Sequence, residues 1–529
     1  MSYDTSIYLL MFLPLSLIAY QLTPKKKRWI TLLIFNYIFF WSISKNLLWF
    51  LIGTTIFTHI VSRLIRRVQI KCKTVTADMS GKKRSDIKKK FKKIEKMILA
   101  GGIICLLLIL AYSKYYNFFV LNVNNLFKIT GINFSLSSIT PLVPIGISFY
   151  TLQVIGYMTD VYWENVEVIK QPGKFALFLS FFPQIMEGPI SMYDQTAESL
   201  WSGKSITAEN LSAGGIRIVW GLFKKMIIAD RLNVLVKEIF TNNSQYYGVI
   251  IIIGAIAYTI QLYMEFSGTM DVVIGSGKMF GVMMPENFRQ PFFSKNASEF
   301  WRRWHITLGA WFKKYIFYPV SVSVPVKHWN KFGKKHLGKY VTKLGMSAMA
   351  LFPVWLCNGL WHGAKWNYIF YGMYYFVILL FGIAVEPLRQ SVLKKLHINP
   401  EAAWYKFLQM MKTWVIIFTG EMFFRADSLR IGMSMFINIF KQTDLNKLYD
   451  GTLLSVGLDS ADYLVILAGC VIVAIVDIVA EKNNSNIYEV QKLKLPVRWI
   501  VCYGLIFAVI IFGAYGVGYQ QVDLIYAGF

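Results

Sequence analysis

Long apolar stretches with little or no charge constrain the fold of this chain more than any other feature. The clearest are residues 6–23, 29–44, 47–62, 97–121, 247–266, 344–361, 366–385, 405–420, 461–480 and 499–517. About 20 mostly apolar residues form a helix that spans the hydrocarbon core of a bilayer. Only 16% of the 529 residues are charged, which is below the share of about 25% in soluble domains. We therefore predict an all-α, polytopic membrane protein with about 10–13 transmembrane or re-entrant helices.

The first apolar stretch is expected to stay in the protein as its first span. It lacks a basic region before it and a small-residue cleavage site after it, so it does not resemble a cleavable signal peptide. The five cysteines, Cys72, Cys105, Cys357, Cys470 and Cys502, form no CxxC pair. All of them except Cys72 lie within or beside apolar stretches. This pattern favours packing over a disulfide framework or a zinc site. We expect no metal ion and no bound cofactor.

The positive charge is concentrated in loops between apolar stretches. The formal net charge is +27. Residues 63–96 contain fourteen Lys or Arg and three acidic residues, a local net charge of +11 (14 − 3). Loops of this kind lie in the cytoplasm, where anionic lipid headgroups attract them. The basic residues 25–28, two spans earlier, agree with this orientation and place the N-terminus outside. Membrane lipid therefore explains the charge, and no nucleic-acid partner is expected.

The pattern of the apolar stretches changes along the chain. Residues 1–121 have the pattern of four plain spans joined by basic loops. From residue 125, Pro, Gly and charged residues interrupt the apolar sequence, most clearly in 141–163 and 181–194. A broken helix is tolerated at membrane depth only where protein or a water-filled cavity surrounds it. A single break is more often a kinked, packed helix, but so many together favour a funnel or tunnel inside the protein.

Residues 296–315, "NASEFWRRWHITLGAWFKKY", have the period of one amphipathic helix. One face would carry Trp301, Trp304, His305, Leu308, Trp311, Phe312 and Tyr315, and the other Arg302, Arg303, Lys313 and Lys314. Asn296 followed by Glu299 predicts a capping box at the start of this helix. A helix with a cationic face is typical of the cytoplasmic membrane surface. His305 is predicted on the buried aromatic side.

Two of the six histidines are candidates for chemistry. His305 and His362 lie in aromatic, glycine-interrupted segments, whereas the others lie in lysine-rich loops or late in the third span: His328, His336, His397 and His59. A lone buried histidine is usually a packed, hydrogen-bonded side chain, but an ionisable residue at membrane depth is also a functional-site hypothesis. A neutral imidazole suits general-base catalysis. Serine-nucleophile, HExxH and phosphate-loop motifs do not occur. What remains is base-assisted attack of a hydroxyl group on an activated acyl donor.

Several stretches resemble the membrane-bound O-acyltransferase family, and they follow the family's order. They are "PIGISFYTLQVIGYMTDVYW" (144–163), "FFPQIMEGPI" (181–190), "EFSGTMDVVIGSGKMFGVMMPENFRQPFFSKNASEFWRRWHITLGAW" (265–311), "NGLWHGAKWNYIFYG" (358–372) and "FFRA" (423–426). Together they cover most of 141–426. The combination of FSG, PENF, EFWRRWH and LWHGA in one polytopic chain is highly specific for this family.

The resemblance implies a ring of tilted helices around a central tunnel. It makes 1–529 a single membrane domain, with N-terminal spans in 1–121, a catalytic core in 125–426 and C-terminal spans in 427–529. By resemblance, His362 is the catalytic histidine and His305 is the second signature histidine. Asn358 and Trp361 are expected to shape the site, unless Asn358 only satisfies backbone groups left free by Pro353. Further tunnel or supporting residues are expected near the histidines: Trp301, Trp304, Arg302, Arg303 and Glu299.

Within the family, the chain is similar to the bacterial branch that includes the alginate O-acetylation protein. That branch has extra spans after FFRA and an aromatic tail, which in this chain is "DLIYAGF" at 523–529. The chain departs from the common pattern at Lys313 and Lys314, where relatives usually carry an Arg-Asp pair. It also departs at Glu187, where a small residue is usual, and at Ser191, where a basic residue is usual. These departures weaken inferences about the donor and about partner docking, but they leave the reaction type unchanged.

The resemblance implies a membrane O-acyltransferase of the bacterial cytoplasmic membrane. An acyl thioester, acetyl-CoA or an acyl carrier protein, would enter near 296–315, with acetyl as the favoured group. His362 would act as general base on an acceptor hydroxyl, and His305 would orient the thioester carbonyl or the attacking group. Members of this branch generally act with an extracytoplasmic lipase-like partner of the SGNH/GDSL type. That partner completes transfer to a cell-surface or exported polysaccharide.

Other functions remain open from the sequence. The nearer alternative is transfer of D-alanyl from a carrier protein to teichoic acid. The farther one is a transporter, because broken helices and buried ionisable residues also mark substrate paths. A transporter of this kind should show paired breaks in two repeated halves, whereas the breaks in this chain lie in one block. A purely structural scaffold is the third alternative, and the LWHGA segment argues against it.

Overall fold

The computed structural model describes residues 2–441, 444–483, 490 and 493–515. Almost all of this part of the chain is helical or lies in short connections between helices, and it contains no β-strand. The sequence "DLIYAGF" and the last two residues of the 499–517 stretch lie outside the described residues.

Along the described chain, the α-helices follow one another in a single series. They are α1 (Leu13–Leu22), α2 (Arg28–Ser44), α3 (Leu48–Val75), α4 (Gly81–Thr130), α5 (Ile147–Tyr162), α6 (Pro172–Ser180), α7 (Tyr193–Trp201), α8 (Ala208–Leu222), α9 (Asp230–Thr241), α10 (Val249–Met279), α11 (Ala297–Arg303), α12 (Ile306–Phe312), α13 (Tyr318–Ser321), α14 (Val324–His336), α15 (Gly338–His362), α16 (Trp366–Lys395), α17 (Ala403–Arg425), α18 (Leu429–Asn438), α19 (Thr452–Ser455), α20 (Ser460–Asn483) and α21 (Leu495–Phe512).

Seven helical stretches among the described residues are long and apolar enough to cross a membrane. They are Lys25–Val75, Gly81–Thr130, Val249–Met279, Gly338–His362, Trp366–Lys395, Ser460–Asn483 and Leu495–Phe512. The first of these contains two of the predicted stretches, and Ile7–Leu22 is a shorter apolar helix. The predicted stretch 405–420 is helical as part of α17 but is not among the seven. An all-α, multi-pass membrane protein is thereby confirmed.

The described chain forms two compact units. The first lies within residues 1–211 and 276–285, and the second within residues 212–275 and 286–528. In the first unit, α3 and α4 pack along each other and both contact α5. Helix α4 has 50 residues and is therefore about 75 Å long, more than twice the thickness of the hydrocarbon core. The basic residues of 63–96 lie where these two helices are joined.

The interrupted segment 181–192 of the first unit is non-helical, as predicted, and side chains satisfy its backbone groups. The amide of Phe182 donates to Asn36 Oδ1 (3.0 Å), and the Tyr3 hydroxyl donates to the carbonyl of Phe182 (2.8 Å). Gly146 lies against this segment with φ = 72°, and a Cβ on it would be 2.0 Å from the carbonyl oxygen of Ile185. Only glycine fits that position. The unwound backbone is thus buried in protein, which is the condition for its occurrence at membrane depth.

The second unit contains both candidate histidines. Helix α15 packs on α14 and α16, and α16 packs on α17. Helix α11 contacts both α16 and α17. The arrangement brings the C-terminal end of α15, the N-terminal half of α16 and the C-terminal end of α17 together.

Candidate active site

His362 is the last residue of α15, and close backbone packing between α15 and α16 positions it. A Cβ on Gly359 would lie 2.4 Å from the carbonyl oxygen of Tyr368, and a Cβ on Gly372 would lie 2.2 Å from that of Trp355. Each helix therefore carries a glycine where the other helix's backbone touches it. Because Gly359 is one turn before His362, this contact fixes the imidazole relative to α16. His362 is 6% exposed.

Aromatic rings surround the imidazole of His362. The rings of Tyr371 and Phe424 are nearly perpendicular to it, at centroid distances of 5.7 and 4.9 Å. Phe424 comes from the FFRA segment at the end of α17. Asn367, which follows the LWHGA segment, donates its side-chain amide to the carbonyl oxygens of Phe424 (3.3 Å) and Ala426 (2.8 Å). Two segments that lie 59 residues apart in the sequence thus meet at the side chain of Asn367.

Sequence reasoning missed a buried carboxylate beside this cluster. Glu421 lies one turn before Phe424 in α17, is 1% exposed, and accepts a hydrogen bond from the Tyr371 hydroxyl at 2.8 Å. The signal was available, because Glu421 is the only acidic residue between Glu401 and Asp427. A lone ionisable residue in an apolar segment is a functional-site hypothesis by default.

His305 is positioned differently, by hydrogen bonds to a neighbouring loop. Its backbone is left-handed (φ = 47°, ψ = 51°). The side-chain oxygen of Asn287 contacts His305 Nδ1 (3.2 Å) and accepts bonds from the Thr307 amide (3.1 Å) and hydroxyl (2.9 Å). The amide of Ile306 donates to the carbonyl of Asn287 (2.9 Å). Because an oxygen faces Nδ1, the neutral imidazole carries its proton there, and Nε2 is its acceptor nitrogen.

The PENF segment belongs to the family resemblance, but the role of Asn287 within it was not predicted from the sequence. The buried guanidinium of Arg217 holds the preceding residue, Glu286: it donates to Glu286 (2.7 Å) and to Asp271 (2.9 Å). These residues and Asn287 line a narrow polar cavity of about 70 Å³. The only signal in the sequence was that Arg217 and Asp271 are each flanked by apolar residues.

The structure contradicts the prediction of one continuous helix over 296–315. Helix α11 ends at Arg303 and α12 begins at Ile306, with the left-handed residue His305 between them. The helix is interrupted at an isolated antiparallel bridge between Phe288 and Trp304. On either side of the bridge, the amide of Arg289 donates to the carbonyl of Arg303 and the amide of Ile306 donates to the carbonyl of Asn287. These bonds replace the bonds that a continuous helix would form along the chain. The predicted cap is half correct. Asn296 accepts the amide of Glu299 (2.9 Å), but the Glu299 carboxylate returns to the amide of Lys295 (3.0 Å) instead of that of Asn296.

The indole of Trp361 lies between the two histidines. Its ring is 5.5 Å from that of His305 and 5.0 Å from that of His362. Burial and the nearby imidazole of His362 lower the pKa of His305 well below its usual range. His305 is therefore neutral at pH 7, and a neutral imidazole can exchange a proton or a hydrogen bond with a substrate. No group of three or more His, Cys, Asp or Glu that would hold a metal ion occurs in the described ranges.

The remaining predicted residues divide into two groups. Trp301 packs on Tyr371 (6.2 Å) and on Trp355 (5.1 Å), and Asn358 is buried one turn before His362, so both lie near that histidine. Trp304 packs on Phe288 (5.0 Å) and on Phe300 (5.4 Å).

The predicted cationic face is only partly a free surface. Arg303 is 19% exposed and donates to both oxygens of Glu481 (2.7 and 2.9 Å) and to Glu299 (2.9 Å). Arg302 is exposed and donates to the hydroxyl of Ser298 (3.1 Å). Arg303 is therefore a structural anchor between α11 and α20, and Arg302 keeps a solvent-facing charge.

The chain is similar in sequence to known proteins over most of its length. A model of the membrane-bound O-acyltransferase family (MBOAT) matches residues 167–419. The "Probable alginate O-acetylase AlgI" of Pseudomonas syringae pv. tomato is 30% identical over 445 residues, which cover 84% of this chain and 76% of that protein. The "Peptidoglycan O-acetyltransferase" of Helicobacter pylori is 27% identical over 468 residues, covering 82% and 78%. The "Teichoic acid D-alanyltransferase" of Bacillus subtilis is 28% identical over 241 residues, covering 44% and 58%.

Proposed function

Because the chain belongs to the membrane-bound O-acyltransferase family, we propose that it uses a cytoplasmic acyl thioester to O-acylate a cell-surface or exported polysaccharide. We propose acetyl as the group transferred. The relatives named for O-acetylation match more than four fifths of this chain, whereas the teichoic acid D-alanyltransferase of Bacillus subtilis matches 44% of it. This difference in coverage favours acetyl over D-alanyl, which stays as the second candidate.

The placement of His362 is the observation that carries this proposal. An imidazole with 6% exposure ends a membrane-length helix, and aromatic rings leave it little freedom. In the proposed reaction, His362 takes the proton of the acceptor hydroxyl while the oxygen of that hydroxyl attacks the thioester carbonyl. The C–S bond then breaks, and the protonated His362 returns the proton to the departing sulfur. A fixed, water-poor base is suited to this exchange, because competing hydrolysis is suppressed.

His305 has the more limited role of orienting the attacking group. Its Nδ1 proton faces Asn287, so Nε2 can accept a hydrogen bond but cannot donate one. An acceptor nitrogen suits a hydroxyl group better than it suits a carbonyl oxygen. Of the two roles predicted for His305, orientation of the hydroxyl is therefore the one we propose. Asn358, Trp361 and Trp301 would shape the chamber around the reacting atoms.

We place the protein in the bacterial cytoplasmic membrane with its N-terminus outside. The basic residues 25–28 and the net charge of +11 over residues 63–96 (14 − 3) then both lie in the cytoplasm, beside anionic lipid. The donor would be acetyl-CoA or an acyl carrier protein, which enters from that side through a tunnel. A lipase-like acyltransferase of the SGNH/GDSL type outside the membrane would complete transfer to the polysaccharide.

Analysis of esters on the polysaccharide tests this proposal. Cell-surface polysaccharide is compared from cells that carry the wild-type chain, no chain, or His362→Ala, and the base-labile acyl groups are identified by mass. We expect acetyl esters in the wild type and a loss of about 100-fold or more in the other two. Release of D-alanine would select the second candidate. Unchanged esters in cells whose membranes contain the His362→Ala protein would refute the role of His362.

A further inference from the structure

A carboxyl group is buried behind the proposed base. Glu421 is 1% exposed, and its Oε1 accepts the hydrogen bond of the Tyr371 hydroxyl at 2.8 Å. Its other oxygen, Oε2, has no hydrogen-bond partner among the residues that the structure describes. Burial of a carboxyl group is costly unless it is well paired. The hydrogen bond to Tyr371 is the contact that connects this carboxyl group to the candidate site.

That hydrogen bond leads directly to His362. Tyr371 is 2% exposed, and its ring stands at 88° to the imidazole with centroids 5.7 Å apart. Phe424 stands at the same angle on the imidazole at 4.9 Å and also touches Tyr371 at 5.0 Å. Glu421 and Phe424 are three residues apart on α17 and so share one face of that helix. One helix face thus contacts the imidazole directly through Phe424 and indirectly through the phenol of Tyr371.

The tyrosine cannot rotate about its side-chain bonds without losing its hydrogen bond to Glu421. Trp301 packs on its ring at 85° and 6.2 Å and limits movement away from His362. A general base must be held within roughly 0.5 Å and 10–20° of its productive geometry by neighbours that are themselves fixed. The phenol fixed by Glu421 meets that requirement.

We propose that Glu421 and Tyr371 are a positioning pair for His362. The hydrogen bond between them sets the position of the Tyr371 ring, and that ring together with Phe424 sets the plane of the imidazole. This inference rests on the proposed function, because it takes His362 as the base. It adds two residues that do not touch the reacting atoms but determine how often the base is correctly oriented.

The test uses membrane vesicles from cells that contain the full-length chain, the proposed lipase-like partner and the polysaccharide acceptor. Labelled acetyl-CoA and labelled acetyl carrier protein are the two donor probes. The variants are Tyr371→Phe, Glu421→Leu, which removes the oxygen that accepts the Tyr371 hydroxyl, and the double variant. Tyr374→Phe is the matched control: its hydroxyl, on the same helix, donates to the carbonyl of Ile416 in α17 (2.9 Å). Like Tyr371→Phe, the Tyr374→Phe variant removes one tyrosine hydroxyl that forms a hydrogen bond to α17. Rates are normalised to the amount of chain in the membrane.

We expect Tyr371→Phe and Glu421→Leu each to lower kcat by about tenfold with KM for the acyl donor unchanged, because misorientation of the base affects the chemical step alone. The double variant should fall no further than the less active single variant, because both changes break the same hydrogen bond. Tyr374→Phe should keep the wild-type kcat.

Wild-type kcat in Tyr371→Phe, or effects of the two single variants that multiply in the double variant, would overturn the positioning pair. An equal fall in Tyr374→Phe would also overturn it, because any lost contact between α16 and α17 would then have the same effect. Wild-type vesicles that form no labelled ester, or His362→Ala vesicles that form as much as wild type, would refute the proposed function and this inference with it.

Discussion

The two histidines of this protein are positioned by opposite means. His362 ends a helix of 25 residues, and packing places it: two glycines allow the backbones of α15 and α16 to touch, and aromatic rings enclose the imidazole. His305 lies between two helices of seven residues each, and hydrogen bonds place it, most of them to Asn287. One site depends on the close fit of apolar surfaces, and the other depends on a polar loop with a left-handed residue.

Because of this difference, different kinds of substitution should displace the two histidines. Packing fails when volume is added, since close-packed interiors do not deform easily. The hydrogen bonds from Asn287 to His305 and Thr307 form a polar clamp. Such a clamp no longer holds its residues when its acceptor is removed, since the donors are then buried without a partner. Substitutions chosen on this basis should affect one histidine and leave the other in place.

The largest effect is expected from Gly359→Ala. Its Cβ would lie 2.4 Å from the carbonyl oxygen of Tyr368, so α16 must move and take Tyr371 away from His362. A displacement of about 1 Å can lower activity by about 100-fold, and we expect a loss of this size in the ester content of the polysaccharide. Gly382→Ala, also in α16, is the control, because a Cβ there has no neighbour within 4 Å. Normal ester content in Gly359→Ala would show that packing does not place His362.

The next effect is expected from Asn287→Ala. It removes the oxygen that faces His305 Nδ1 and that accepts both the amide and the hydroxyl of Thr307. We expect a loss of about 1–3 kcal/mol in stability and a fall in acyl transfer of about tenfold. Thr307→Val removes only one of the three contacts and should have a clearly smaller effect on transfer. If the two variants behave alike, the clamp on His305 is not the reason for the loss.

Local sequence patterns predicted what depends on local sequence. The apolar stretches correspond to helices because a backbone in lipid must satisfy its own hydrogen bonds. Asn296 caps α11 because the bond that it forms reaches only three residues along the chain. The continuous helix over 296–315 was wrong because residues 287–289 take over the backbone of 303–306. Periodicity along one segment contains no information about such a partner.

The same limit explains which site residues were missed. The resemblance located His305 and His362, but Asn287 and Glu421 act through contacts made across the fold. Glu421 directly follows the apolar stretch 405–420, and no role was predicted for it. Its hydrogen bond to Tyr371 depends on the packing of α17 against α16, which the sequence does not predict. The role of Arg303 was likewise hidden, because its partner Glu481 is 178 residues away.

A smaller effect should separate the backbone of His305 from its imidazole. Asparagine tolerates the left-handed region, whereas a β-branched residue is strained there. Both His305→Asn and His305→Val lose the imidazole, and they differ in how well their backbones adopt the left-handed conformation. We expect His305→Val to be less stable than His305→Asn by about 1–2 kcal/mol, measured as the free energy of unfolding in detergent. Equal stability would mean that the chain can relax out of φ = 47° without cost.

The smallest effect is expected at the neighbouring arginines, and it tests how far the polar clamp extends. Arg303→Ala leaves Glu481 without its bidentate partner and frees the end of α11 next to His305, so we expect a loss of about 1 kcal/mol in stability. Arg302→Ala removes an exposed charge bonded to one serine hydroxyl and should change stability by less than about 0.5 kcal/mol. The measurement is the unfolding midpoint of the two variants under the same detergent conditions. If Arg302→Ala lowers stability more than Arg303→Ala does, the exposed charge contributes more than the ion pair between Arg303 and Glu481. The hydrogen bonds that hold His305 would then not depend on any contact beyond the bridge between Phe288 and Trp304.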